Sequence, residues 1–300
     1  MPQAQASARL PGRRPSRYLG DPMTTPRDRF ARLAAAPQCD LGRAALEIAR
    51  IGHPALDPAP TLAALDHLAE SARPRVPEGV PAPDAARALA RYLFQECGFR
   101  GNPDDYYDPR NSFLNDVVER RLGIPISLSI LAIEVGRRLG IPIDGVGFPG
   151  HFLVRVAGPR EVLLLDCFAG GVAVDQDELL TRLRALAGSE GPDFTHVPPR
   201  FLEPTSPPDV LARMLRNLLR IYLERREPAR ALAAVDLLLI LTPESADDLR
   251  TRGRLYETLE CFAAAAADLR RYLALAPAAE DAADVRKAIG RLASDAPTLH

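Results

Sequence analysis

The sequence predicts an α+β core with a helical lobe before it and an all-α tail of helical hairpins behind it. Three observations carry that prediction. Residues 123–171 place an apolar helical stretch straight after a Gly-Ile-Pro turn and follow it with two short β runs. The residues ahead of that stretch show helical patterns with little β signal. Beyond a proline-rich linker at 197–209, the composition turns alanine-rich and repeats with a period of 34 residues.

Taken in order, residues 1–26 are expected to be a disordered tail, or an extension ahead of a true start at Met23. They carry paired arginines at 13–14 but no apolar stretch behind them, so they fail as a secretory signal. Residues 27–50 carry a helical pattern through Phe30, Leu33, Leu41, Leu46 and Ile48. A second helix over 61–72 starts at Thr61, and a Pro-rich connector spans 73–84. A third helix, 85–97, ends at Gly98. FRGNPDDYYDPR (99–110) reads as a loop in which Tyr106 and Tyr107 are expected to pack rather than to wall a cleft. Asn111 or Ser112 then caps a helix over 113–122, a role preferred to Asn111 reaching the cleft. This helical lobe (27–122) joins a helix-plus-hairpin core (123–175) in one domain over 27–200.

The β runs HFLVRV (151–156) and EVLLLDCF (161–168) are rich in Val, Leu and Phe and flank the turn-forming loop Ala157–Arg160. If Val156 pairs with Glu161, paired positions sum to 317 and His151 lies opposite Asp166. An aspartate there can hold one imidazole nitrogen and free the other for acid–base work. A one-residue slip would send the two side chains to opposite faces and leave a histidine and an aspartate joined by nothing.

Acyl chemistry with such a pair needs a nucleophile, best placed at a helix start where the positive dipole end lowers a thiol's pKa. The helix beginning at Pro125 has no cysteine. Its only hydroxyls, Ser127 and Ser129, lie about 200° apart at 3.6 residues per turn. Ser127 falls on the line of Glu134 and Arg138, the expected polar face, and Ser129 on an apolar one. Each is either a nucleophile dependent on His151 or a cap or small packing residue.

The block DDYYDPRNSFLNDVVERRLGIPISLSILAIEVGRRLGIPIDGVGFPGHFLVRV, followed by LLLDCFAGG, resembles the SirB-one family of bacterial transglutaminase-like proteins. The match covers about residues 40–200, and the PGHFLVR and RLGIPISLS motifs are specific to it. The resemblance implies a transglutaminase/papain-like core in which His151 and Asp166 match the family's histidine and aspartate. It also implies that Pro125 stands where catalytic members of the wider superfamily carry the nucleophilic cysteine, a residue this family commonly lacks. Cys167 stands where the family usually has proline; strand alternation points it away from the His151/Asp166 face, into the core.

In the tail, Tyr222 recurs as Tyr256, Ala231 as Ala265, Leu239 as Leu273, Leu241 as Leu275 and Pro243 as Pro277. Tyrosine in a first helix, alanine early in the second and proline after it is the tetratricopeptide signature. Two repeats are few for a free-standing array, so a helix around 281–293 is expected to cap them and the first hairpin to dock on the preceding domain. Residues 205–300 thus form the repeat region, a surface for a protein or peptide partner or else a structural buttress.

Apolar content of 47%, charged content of 26% and a net charge of −1 describe an ordinary globular chain and give no basis for a nucleic-acid partner. No apolar run is long enough to span a membrane. Cysteines at 39, 97, 167 and 261 lack C-x-x-C spacing, which argues against zinc and disulfides and for a reducing, cytoplasmic setting. His151 and Asp166 have no third ligand at useful spacing, so neither metal nor cofactor is expected. Two functions remain: a non-catalytic binding protein using cleft and repeats, or a specialised hydrolase or acyl transferase with Ser127 or Ser129, His151 and Asp166.

Overall fold

The computed structural model describes residues 25–159, 162–188 and 191–295. The tail expected over 1–26, with Met23, lies outside the described residues except for its last two positions. Thr25 opens α1 (Pro26–Ala35) through a capping box with Asp28, and Asp40 caps α2 (Leu41–Ala49). The single helical pattern over 27–50 is therefore two helices, broken beside Pro37. The second predicted helix starts earlier than Thr61: α3 (Pro58–Ala72) is capped by Asp57. Its first residue is a proline, at a position where a missing N–H leaves nothing unpaired. α4 (Ala82–Ala90) runs into one wide turn, Arg91–Glu96, before Gly98 leaves it at φ +74°.

The expected cap by Asn111 or Ser112 is corrected. α5 (Leu114–Arg120) starts from Phe113 with no side-chain cap, and Asp108 instead caps a short turn over Pro109–Asn111. Asn111 is fully buried; its amide donates to Asp105 O at 2.7 Å and accepts from Asn102 at 3.2 Å. It closes the 102–111 loop instead of entering a helix.

Two short strands, β1 (Arg100–Gly101) and β2 (Leu122–Gly123), pair in parallel and lead into α6 (Pro125–Leu139). The sheet proper is antiparallel, in the order β3 (Asp144–Val146), β4 (Leu153–Ala157), β5 (Val162–Asp166), β6 (Val172–Ala173). The hairpin register differs from the expected one. Val154 pairs with Leu165 and Ala157 with Val162, so partners sum to 319, two residues along from 317. The strands simply extend one residue further on β4 and start one later on β5. A shift of two preserves the face of every side chain.

That alternation sorts the core. Val154, Val156, Leu163, Leu165 and Cys167 join the main core with α6, whereas Leu153 and Leu164 join Leu179 and Leu183 of α7 (Gln176–Ala187) in a second cluster. α6 is buried on nearly all sides, so the polar face expected through Ser127 and Glu134 is absent. Glu134 is enclosed, accepting from Gly42 N of α2 at 3.1 Å and pairing with Arg137 and Arg138.

The tail is a stack of helices: α8 (Pro207–Glu224), α9 (Pro228–Leu241), α10 (Ala246–Thr258), α11 (Phe262–Leu275) and α12 (Ala282–Asp295). The repeat is visible in the backbone itself. Arg226 and Glu260, 34 residues apart at the tip of each hairpin, take left-handed φ of 57° and 58°. Ala231 and Ala265 are fully buried where the helices cross. α8 packs on α2 and α6, and α9 on α1, so the first hairpin is docked on the preceding helices. Among the described residues, no helix is long and apolar enough to cross a membrane.

Candidate functional site

The turn Pro149–Gly150 delivers His151 to the start of β4, with Gly150 at φ +68° and His151 N donating to Phe148 O at 3.0 Å. Asp166 ends β5. The chain then turns back through Gly171, at φ +75°, whose N–H donates to Asp166 O at 2.8 Å. A Cβ on Gly171 would lie 2.4 Å from the Phe94 ring, so only glycine fits this turn. With both turns in place, His151 Nε2 stands 2.8 Å from Asp166 Oδ2.

Asp166 is nearly inaccessible yet fully supplied with donors. Besides His151 it accepts from Arg182 of α7 at 3.0 Å and from the N–H groups of Phe168 and Ala169, each at 3.1 Å. Burial alone would raise its pKa. The hydrogen bond and charge of His151, the Ala169 N–H and Arg182 outweigh that and hold the carboxyl below the usual carboxylate range. An ionised Asp166 can only accept, so His151 Nε2 carries the proton. Nδ1 makes no hydrogen bond among the described residues, and the side chain keeps 17% of its surface exposed.

The two serines do not join this pair. Pro125 is the first residue of α6, as the sequence suggests. Ser127, 1% exposed, donates to Asn111 O at 2.6 Å and accepts from Ile124 N at 3.1 Å, which makes it the polar fastening of the helix start. Ser129 is fully buried, set against the Cys167 thiol with no well-formed hydrogen bond. Neither hydroxyl hydrogen-bonds His151. Strand parity explains it: Asp166 shares the α7 face with Leu164, while Cys167 and Ser129 meet on the α6 face. Burial pushes the Cys167 thiol up to about 12, so it is inert core and no substitute nucleophile.

Aromatic rings adjoin the imidazole. Phe168 meets it edge-on at 6.4 Å, Tyr106 meets Phe168 at 5.9 Å, and Tyr107 meets Tyr106 at 5.2 Å. Phe168 also covers Gly101 of β1, so it touches both the histidine and the strand pair leading into α6. Tyr106 is half-buried, whereas Tyr107 is 47% exposed, so the second tyrosine is not simply packed away.

The repeat helix α8 completes the site. Arg213 donates to Phe148 O at 3.2 Å and to His151 O at 2.5 Å, and its guanidinium lies over the Phe152 ring. Thr205, just ahead of α8, accepts from Gly147 N at 2.8 Å. Arg182 and Arg213 were not legible as site residues: each reaches the site from a helix elsewhere in the chain, and neither sits in a motif. Among the described residues, no three His, Cys, Asp or Glu side chains converge so as to hold a metal ion.

An apolar helix entered through a Gly-Ile-Pro turn, a histidine–aspartate pair on an adjoining hairpin, and stacked helical hairpins together define a transglutaminase-like core joined to tetratricopeptide repeats. A family model for the transglutaminase-like superfamily matches residues 59–216, and a tetratricopeptide-repeat model matches 218–290. A UPF0162 protein of Xylella fastidiosa (strain Temecula1 / ATCC 700964) is 43% identical over 85% of this chain and 91% of its own length. A UPF0162 protein of Pseudomonas aeruginosa is 36% identical over 84% and 91%. F-box only protein 21 of Homo sapiens is 31% identical over 56% of this chain but only 27% of its own length. No solved structure matches. The chain belongs to the UPF0162, or SirB-one, family of transglutaminase-like proteins.

Proposed function

We propose that this protein is a non-catalytic interaction module that binds a protein or peptide through the His151 cleft and the repeats. The observation that carries the reading is the state of the nucleophile position. By the family resemblance Pro125, the first residue of α6, stands at that position, while Ser127 spends its proton on Asn111 O and Ser129 is shut beneath Cys167. A general base without a nucleophile in reach does no acyl chemistry. The similarity to a stretch of the much longer F-box only protein 21 suits a module that works joined to other parts. The four free cysteines suit a reducing compartment, and we place the protein in the cytoplasm.

The retained 2.8 Å His151–Asp166 contact favours one second reading, a serine hydrolase or acyl transferase. A fluorophosphonate probe separates the two. The wild-type chain should take no label above that of His151→Ala. Labelling of Ser127 or Ser129 that His151→Ala abolishes would overturn the non-catalytic reading.

A further inference from the structure

Resting on the interaction reading, we infer that the partner segment is an extended acidic peptide, gripped by Arg216 and Arg220 on α8 beside Tyr107. On a helix of 3.6 residues per turn, Arg213, Arg216 and Arg220 share one stripe. Arg213 anchors that stripe to the carbonyl of His151. The stripe therefore runs directly out of the candidate site along the repeat region.

Arg216 and Arg220 differ from most arginines of the repeats. Arg225, Arg230, Arg250, Arg252, Arg254, Arg271 and Arg286 all donate hydrogen bonds within the protein. Arg216 and Arg220 donate none among the described residues. Their ion contacts are loose, Arg216 to Asp248 at 3.9 Å and Arg220 to Glu224 at 4.0 Å, and both side chains are more than half exposed. The Arg220 guanidinium lies 5.0 Å above the exposed Tyr107 ring, which holds it in place without using its N–H donors. Arg220, held over a ring, and Arg216, only loosely paired, keep N–H donors that match carboxylates.

Spacing narrows the ligand. Residues four apart on a helix are about 6 Å apart along the axis. Alternate residues of an extended peptide are about 6.7 Å apart and point the same way. Acidic residues separated by one position thus meet Arg216 and Arg220 together. The stripe is bounded by Asp209 and Glu224, and the chain carries a net charge of −1, which disfavours a long polyanion such as nucleic acid.

The test is panning of a random dodecapeptide display library on the full chain. The selected pool should be enriched in pairs of Asp or Glu separated by one residue. A synthetic peptide from it should weaken about tenfold or more on the variant Arg216→Glu/Arg220→Glu, and weaken with added salt. Arg91→Glu/Arg270→Glu, which changes two exposed arginines on other elements, should bind like wild type. A selected pool without acidic enrichment, or one bound equally by the α8 variant, overturns this inference and leaves the interaction reading standing. Failure to select any peptide overturns it too, as does equal competition by single-stranded DNA, which makes the stripe a general anion surface. The interaction reading itself falls only to His151-dependent probe labelling.

Discussion

At the scale of single residues, Asp166 is the pivot: one carboxylate serves His151, Arg182 and two backbone N–H groups. Its pKa in the folded state lies below the ordinary value, so it contributes stability that is present above roughly pH 4 and is lost as pH falls through the lowered value. Asp166→Asn should melt well below wild type at pH 7, with the gap in Tm narrowing toward pH 3. A gap that stays constant across that range would remove the ionic account. The pair was legible in the sequence because alternation has a period of two, and a register error of two leaves both side chains on one face. The fate of Ser127 and Ser129 was not legible. What buries them is packing by segments far away in the chain, including Asn111 for one and Cys167 for the other.

At the scale of elements, α8 works for both units. Its Arg213 fastens the loop that carries His151, two residues of which accept from it. Arg213→Met keeps much of the packing on Phe152 but removes those donors. Amide exchange over 147–152 should accelerate in that variant, while exchange in α10 and α11 stays as in wild type. Unchanged protection at 147–152 would show the loop to be held without the clamp. The hairpin tips offer a second check. Arg226 and Glu260 sit in a left-handed conformation that costs a residue with a Cβ about 1 kcal/mol. Glu260→Gly relieves that strain and should raise stability by about 0.5–1 kcal/mol in denaturant melts. A lowered midpoint would mean that the side chain does more than its backbone suggests. The repeats were readable because each hairpin copies the other; α7, β3 and β6 were not, being single elements with no internal echo and, for the strands, three residues or fewer.

At the scale of the whole molecule, the two units are packed into one body. α1 lies against α9 as well as against α2, and α8 lies against α2 and α6, so the amino-terminal helix is tied to the repeats as well as to its own lobe. Heating should therefore give one cooperative calorimetric transition, with equal calorimetric and van't Hoff enthalpies. Two resolved transitions would mean that the lobe and the tail unfold separately. The order of the parts was plain from composition and periodicity. The joint was not, because an amphipathic helix shows which face it buries and not what it buries it against.

The two family matches meet inside α8, between residues 216 and 218, and the helix runs unbroken across that border from Pro207 to Glu224. Recombination that exchanged tails between such genes at the border would split a helix that clamps one unit and opens the other. A crossover that keeps the braced hairpin whole falls instead in the loop after residue 241. In inheritance, then, the first hairpin travels with the domain it braces, and only what lies beyond it is free to be lengthened, shortened or traded.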